Sequence, residues 1–558
     1  MKNKQQNLSY AIGIILFLFP IGIYLVASVF LILGLDINKG IVPLALTGEG
    51  VLLVYYLKRY LKINVQTIYT AALIALSLLL FSFFTASYFY DFSFDGQWYH
   101  QDAIILLKNG WNPYYDHLIN NAQASGLNAN YINHYPKAAW MVAASLYSFG
   151  GGIELAKAST LILFFSSCFL SYHFLKKWFG FSAFSTLLVA SVTCASPVVL
   201  GQSVSFYVDG LMATCMLIFL LILIDYCKEP GHFLTLIPLG LILIFWVNLK
   251  FTALIYCVVF LFFACLWMVY QIKSAAIKPI ITIGIFVLLG VFLFGLPTYV
   301  QNTLTKGHPF YPLMGKNNEG KAIAEVQYPK DFFGKNRFEK LFLASFALPN
   351  YTAAETHPSI AKPLFTANVI KASIPYYRNH QPVVMSPLGP LEGELLILLI
   401  PLMLFSLISY RKSWFYFGAG ALLFSCVIQP EFWNYRYAPQ ILFLIILLIL
   451  PALMSKYKAI RLYTQFILIL FLANLFVCHQ QYFLWNSSKT HQLRETFNML
   501  QHKKNIKIQA GWMKSFGVKL SEAGIKSSGN PDKKDSLLNF NGDDFSAWRY
   551  SIVYTFEK

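Results

Sequence analysis

Charge is what this chain has least of. Asp, Glu, Lys and Arg make up 12% of the 558 residues, apolar types make up 57%, and the mean hydropathy is +0.55. A soluble protein carries roughly twice that charged fraction, so a soluble globular class is excluded. The eight cysteines (Cys168, Cys194, Cys215, Cys227, Cys257, Cys265, Cys426 and Cys478) all lie in or beside apolar runs, and none falls in a long polar segment. That excludes a disulfide framework and leaves no cysteine metal spacing, so they read as small packing residues. There is no Walker A loop, no GxGxxG before a helix, no HExxH and no CxxC. These absences argue against an ATP-driven pump and against an enzyme taking nucleotide sugars in the cytoplasm. No internal repeat is evident, which weighs against a transporter built from repeats.

What the chain does have is apolar length. Runs of about 18–24 residues recur from end to end, long enough to cross a hydrocarbon core. The expected fold is an all-α polytopic membrane protein of about thirteen spans, near 9–34, 41–57, 65–88, 157–175, 181–200, 207–226, 233–249, 252–270, 278–296, 393–410, 414–429, 437–455 and 461–479. The first run is longer than a signal h-region and has no small-x-small site before the next, so it is expected to stay in place. With the N-terminus inside, the short inner segments hold Lys2 and Lys4; Lys58, Arg59 and Lys62; Lys176 and Lys177; Lys228; Lys273; Arg411 and Lys412; and Lys456, Lys458 and Arg461. The positive-inside rule then places the C-terminus outside a cytoplasmic (inner) membrane.

Three long polar segments share the expected outer face: 89–156, 297–392 and 480–558. The second carries ten Lys/Arg against six Asp/Glu, and the third twelve against seven. Such basic surfaces suit phosphate-bearing partners or anionic head groups, with nothing pointing to nucleic acid. The expected organisation is a two-span hairpin at 1–64, a membrane body at 65–479, and a small mixed α/β outer unit at 480–558. In the last, 487–502 has helical periodicity, while 505–511 and 548–556 alternate like strands.

Polar residues at membrane depth or at span ends are costly and suggest function. Asp95 follows the third span closely, in SFDGQWYHQDAIILLKNGWNPYY, with Asp91 before it and Tyr99, His100 and Asp102 one to two turns on. The alternative for Asp95 is to cap the next helix. His134 sits in an Asn-His-Tyr-Pro turn at the end of the first loop. Asp209 lies in SFYVDG at the start of the sixth span, either facing a cleft or exposed at the interface. Lys250 interrupts FWVNLKFTALIY, where it either meets a ligand or snorkels. Lys306 and His308 fall in PTYVQNTLTKGHPFYPLMG. Arg436 lies in EFWNYRYAPQ, with Glu431 as a possible ion-pair partner. Glu49 is the deepest acid, without an assigned role.

Taken together and in this order, these motifs resemble the GT-C membrane glycosyltransferases, in particular the bacterial protein or lipid mannosyl- and aminoarabinosyltransferase-like group. The likeness runs from about 67 to 451. The family's Asp, the Tyr four residues on, and the Gly before a Pro fall on Asp95, Tyr99, Gly110 and Pro113. A Glu that often follows the Asp is replaced by Gly96. The resemblance implies a GT-C multi-helix body that moves a sugar from a polyprenyl-phosphate donor to an extracytoplasmic acceptor (a cell-envelope glycan, lipid or protein), with inversion. It implies Asp95 as the base, and Arg436 and Lys250 on the donor phosphate. Asp91, Tyr99, His100, Asp102, His134, Asp209, Lys306, His308 and Glu431 would line the site. No cofactor is required, and no metal where side chains supply the cations. Two alternatives stand beside it. One is a polysaccharide polymerase or ligase, for which the 297–392 loop is poor in arginine (Arg337 and Arg378). The other is a lipid or solute transporter.

Overall fold

The computed structural model describes residues 2–60, 62–116, 127–316, 329–349, 360–378, 385–509, 515–527, 538–539 and 553–557. The chain is mostly helical. Among the described residues, eight helical runs are long and apolar enough to cross a membrane: Asn7–Ile32, Ile41–Lys58, Val65–Tyr88, Ile153–Phe179, Asp209–Lys228, Phe251–Phe294, Glu392–Ser409 and Lys458–Gln501. Phe251–Phe294 contains two of the expected spans. Its Phe251–Ile272 helix is joined to Ile277–Leu288 by the tight turn Lys273–Ala276. Four further expected spans coincide with shorter apolar helices, Ala183–Cys194, Phe233–Val247, Ser413–Ile428 and Gln440–Leu453. At 1.5 Å per residue these cover about 18–24 Å, less than a full hydrocarbon core of about 30 Å.

The helix boundaries follow local chemistry. Asn64 accepts the amide of Thr67 at 2.7 Å and opens Val65–Tyr88. Ser182 caps Ala183–Cys194 in the same way, and Gly180, at φ +64°, ends Ala158–Phe179 in the left-handed region that glycine tolerates. The first helix packs closely against Ala158–Phe179. Ser166 Oγ donates to the Gly13 carbonyl at 2.8 Å, and a Cβ on Gly13 would lie 2.8 Å from the Leu170 side chain, so the two helices cross at close range. Gly22 likewise leaves room for Glu49, whose Oε1 would sit 1.3 Å from a Cβ there.

The first polar segment is not peripheral. Its apolar helix Ala138–Phe149 is largely buried, and Ser28 of the first helix donates to Met141 Sδ at 3.7 Å. At the far end, Lys458–Gln501 runs unbroken for 44 residues through position 480, about 66 Å. A three-stranded antiparallel sheet follows, ordered β1 (Lys504–Gln509), β3 (Val553–Glu557), β2 (Leu538–Asn539), with Ile508 and Leu538 both opposite Tyr554. Residues 548–552 of the expected second strand lie outside the described residues. The tail has a core of its own in Leu493, Phe497, Leu500, Ile506, Phe516 and Leu520, and Phe92 from the first loop inserts into it.

Candidate functional site

Four side chains chosen from sequence, from four separate segments, meet in one ion-pair network. Arg436 Nη2 donates to Asp95 Oδ2 at 2.6 Å and Arg436 Nε to Asp209 Oδ2 at 2.6 Å. Lys250 Nζ pairs with the other oxygen, Asp209 Oδ1. Asp209 is buried, whereas Asp95, Lys250 and Arg436 remain partly accessible. The guanidinium lies over Tyr207, 4.6 Å from its ring centre, and Lys250 lies 5.1 Å from that of Tyr437.

Each arm is fixed by its neighbours. Asp209 begins its helix, and Gly210 N donates to Gln202 Oε1 at 2.7 Å. A Cβ on Gly210 would lie 2.7 Å from the Val198 carbonyl, so only glycine lets that helix start so close to the 196–202 turn. Lys250 is presented by a turn that Asn248 braces, its amide donating to the carbonyls of Ile244 and Gly290 at 2.9 and 2.8 Å. Arg436 N donates to Asn434 Oδ1 at 3.0 Å, and Tyr256 Oη holds the next carbonyl, Tyr437 O, at 2.6 Å.

Asp95 makes no side-chain cap; its carboxylate goes to Arg436 instead. The knotting role belongs to Asp91, which is fully buried. It accepts Ser93 N and Ser93 Oγ at 2.9 Å, Gln101 Nε2 at 3.1 Å and Phe206 N at 3.3 Å. It thereby ties the Asp95 loop to the strip leading into Asp209. This also accounts for Gly96, since a Cβ there would stand 2.1 Å from both Asp91 Oδ2 and Ser93 Oγ. A glutamate at 96 is incompatible with that knot.

Tyr99 and His100 border the network. Tyr99 is buried against Tyr131, with ring centres 5.3 Å apart. His100 Nδ1 accepts Trp140 Nε1–H at 2.6 Å, so a neutral ring carries its proton on Nε2. Burial holds that imidazole down to about 3, well below its usual pKa. Burial also lifts the Asp95 carboxyl above its usual range; Arg436 pulls it back without cancelling the rise, and Asp209 adds to it. For Arg436, burial opposes the charge, but Asp209 and Asp95 more than reverse that and keep it firmly protonated.

The other expected residues sit elsewhere. Glu431 accepts the Trp433 indole N–H and does not pair with Arg436, whose bonds go to the two aspartates. His134 Nδ1 pairs with Asn302 Oδ1 at 2.6 Å, bracing the first loop against the segment after Leu296. His308 Nδ1 accepts Phe310 N at 3.1 Å within its own turn, and Lys306 lies 5.2 Å from the Tyr311 ring centre. Among the described residues no hydrogen bond or ion pair joins Lys306 or His308 to the four-residue network. Asp102 is buried in the first turn of Gln101–Lys108.

Sequence reasoning missed a second buried charge cluster. Glu154 pairs with Lys157 and, at 2.7 Å, with Lys519 from the tail; it also accepts Asp91 N at 3.2 Å. Glu522 accepts Ile153 N at 3.0 and 3.2 Å. The only signal available was a lysine in the amphipathic stretch Ser515–Glu522. Among the described residues no group of three or more His, Cys, Asp and Glu has a metal-holding arrangement.

No protein-family model matches the chain, and no curated protein matches it either.

Proposed function

We propose that this chain is a GT-C-like membrane glycosyltransferase using a polyprenyl-phosphate sugar. In the fuller reading the body crosses the membrane about thirteen times, the N-terminus is inside, and the Asp95–Asp209–Lys250–Arg436 network faces the extracytoplasmic side. The observation that carries the reading is the convergence of these four residues from four separate segments. A carboxylate for proton abstraction, Asp95, stands against Arg436, and Asp209 links that cation to the second, Lys250.

The chemistry follows from the pairing. Two cations and two carboxylates balance in the resting network. A guanidinium has five N–H groups, and the two carboxylate bonds use two of them. A donor phosphate arriving at Arg436 and Lys250 competes with the carboxylates for these cations. Loosening the Asp95–Arg436 bond frees Asp95 to take a proton from the acceptor hydroxyl. The acceptor oxygen then forms a bond to the anomeric carbon as the bond to the phosphate oxygen breaks, inverting that centre. The charge gained by the leaving phosphate falls on Arg436 and Lys250. The prenyl chain stays in lipid throughout, which gives a physical reason for a polar site at helix ends.

The test is transfer in proteoliposomes from a radiolabelled polyprenyl-phosphate sugar to envelope acceptors. Transfer by the intact chain, with an inverted linkage in the product, is the expected result. Absence of transfer from hexosyl and pentosyl donors alike, in folded protein, contradicts the reading.

A further inference from the structure

The Asp209–Lys228 helix has a second end, and that end borders a different kind of space. A pocket opens there among six helices, with Leu217, Leu221, Phe260, Phe263, Phe443 and Leu450 on its walls. From Leu217 to Cys227 it follows the helix for about 15 Å, half of a ~30 Å hydrocarbon core and therefore the depth of one leaflet. Its two hydroxyl-bearing residues are satisfied within the protein: Thr193 Oγ1 donates to Val189 O at 2.7 Å, and Ser171 Oγ lies 3.5 Å from Cys194 Sγ. Apart from the Trp267 indole N–H, a buried donor without a partner among the described residues, the interior offers nothing to a polar ligand.

The end of the pocket beside Lys228 is different. Trp178 and Trp414 form part of the lining, and the Lys228 ammonium lies 4.5 Å and 5.6 Å from their ring centres. Asp225 accepts Lys177 Nζ at 2.7 and 2.9 Å and Trp178 Nε1 at 3.1 Å, which fixes that indole. Lys177, Lys228 and Asp225 leave one positive charge in excess, with Arg411 and Lys412 exposed just ahead of Trp414. Indoles and lysines at a helix end, above an apolar slot one leaflet deep, match both parts of an amphiphile.

We propose that this pocket holds one acyl chain of an anionic glycerophospholipid, with its phosphate on Lys228. The site lies at the opposite end of the Asp209–Lys228 helix from the charged network, and it does not depend on the glycosyltransferase reading. Native mass spectrometry of the full chain in detergent tests it, with phosphatidylglycerol and phosphatidylcholine of matched chains in competition. One lysine near an anionic head group predicts retention of phosphatidylglycerol about fivefold over phosphatidylcholine. Lys228→Gln removes that preference, and Leu221→Trp, which fills the slot, removes both adducts. Thermal melting of each variant confirms that it is folded. Equal retention of the two lipids by the parent, or an unchanged preference in Lys228→Gln, overturns the proposal. Displacement of phosphatidylglycerol by polyprenyl phosphate in the Arg436→Gln chain overturns it as well, by making the carrier the occupant.

Discussion

One helix carries two opposite solutions to the problem of charge beside a membrane. At its start, Asp209 is buried and fully engaged by Arg436 and Lys250, with Asp95 completing the network. At its end, Asp225 is paired with the largely exposed Lys177, and Lys228 rests on indole faces above an apolar slot. The first arrangement buries Asp209 and holds it with two partly accessible cations, and burying an ion costs several kcal/mol of desolvation before any return. The second buries only one carboxylate, Asp225, against the largely exposed Lys177, and lets aromatic rings and alkyl stems pack around the lysines. A protein that needed only anchoring has no use for the first arrangement. The expense is concentrated at one face, and that face is where chemistry is proposed.

The comparison breaks outright if the two ends are not on opposite sides of a membrane. Lys371 and Ser521 are exposed on the proposed outer face, and Lys412 on the inner. With single cysteines at these positions, an impermeant thiol reagent on intact cells is expected to label the first two and to reach the third only after lysis. The reverse pattern would invert the topology.

The next largest effect is expected at Asp95. General-base contributions are typically 10²–10⁴-fold, so Asp95→Asn is expected to lower transfer by at least about 100-fold while thermal melting shows a folded chain. Activity within a few-fold of the parent would remove Asp95 as the base. Neutralising Arg436 or Lys250 is expected to weaken donor binding by roughly ten- to a hundredfold, from the loss of one charge-assisted hydrogen bond. Separate titrations of donor and acceptor distinguish this from a general loss of affinity.

Smaller effects sharpen the account. Lys519→Met is expected to lower stability by ~1–3 kcal/mol and transfer by a few-fold, because Glu154 loses a partner beside the Asp91 knot. An unchanged melting point would mean that the tail does not brace the site. The pH dependence has a definite sign. As the proposed base, Asp95 acts ionised, so transfer is expected to fall as pH drops through its raised pKa. Arg436 lowers that pKa, so in Arg436→Gln the residual activity is expected to lose its acid limb at higher pH than the parent. His100 acts in the same direction, but on stability. Its folded pKa, near 3, lies below the ordinary 6.5, so the unfolded chain binds the extra proton as pH falls through 6.5 and stability declines between there and 3.

The sequence made four residues of the network visible because each is a polar interruption at the edge of an apolar run, where background is low. It did not show who pairs with whom. Glu431 is five residues from Arg436 and was the natural partner, yet the guanidinium reaches Asp95 across 341 positions. The Asp91 knot and the Glu154–Lys519 pair were hidden for the same reason: they depend on contacts between distant segments. Gly96 looked like a departure from a pattern and became intelligible only beside Asp91. Lys306 and His308 carried suitable chemistry, but their short turn folds back on its own aromatic residues. Apolar length gave the helical membrane class, while the shorter helices show that run length overstates helix length where Gly, Pro and polar turns intervene.

The most direct test of the central claim is binding of polyprenyl phosphate, without its sugar, to the parent, Arg436→Gln and Lys228→Gln chains in nanodiscs of zwitterionic lipid. Omitting the sugar isolates the phosphate contact, and the two variants set the two ends of one helix against each other. The account predicts a ten- to hundredfold loss of affinity in Arg436→Gln and parent-like affinity in Lys228→Gln. Parent-like affinity in Arg436→Gln would contradict it.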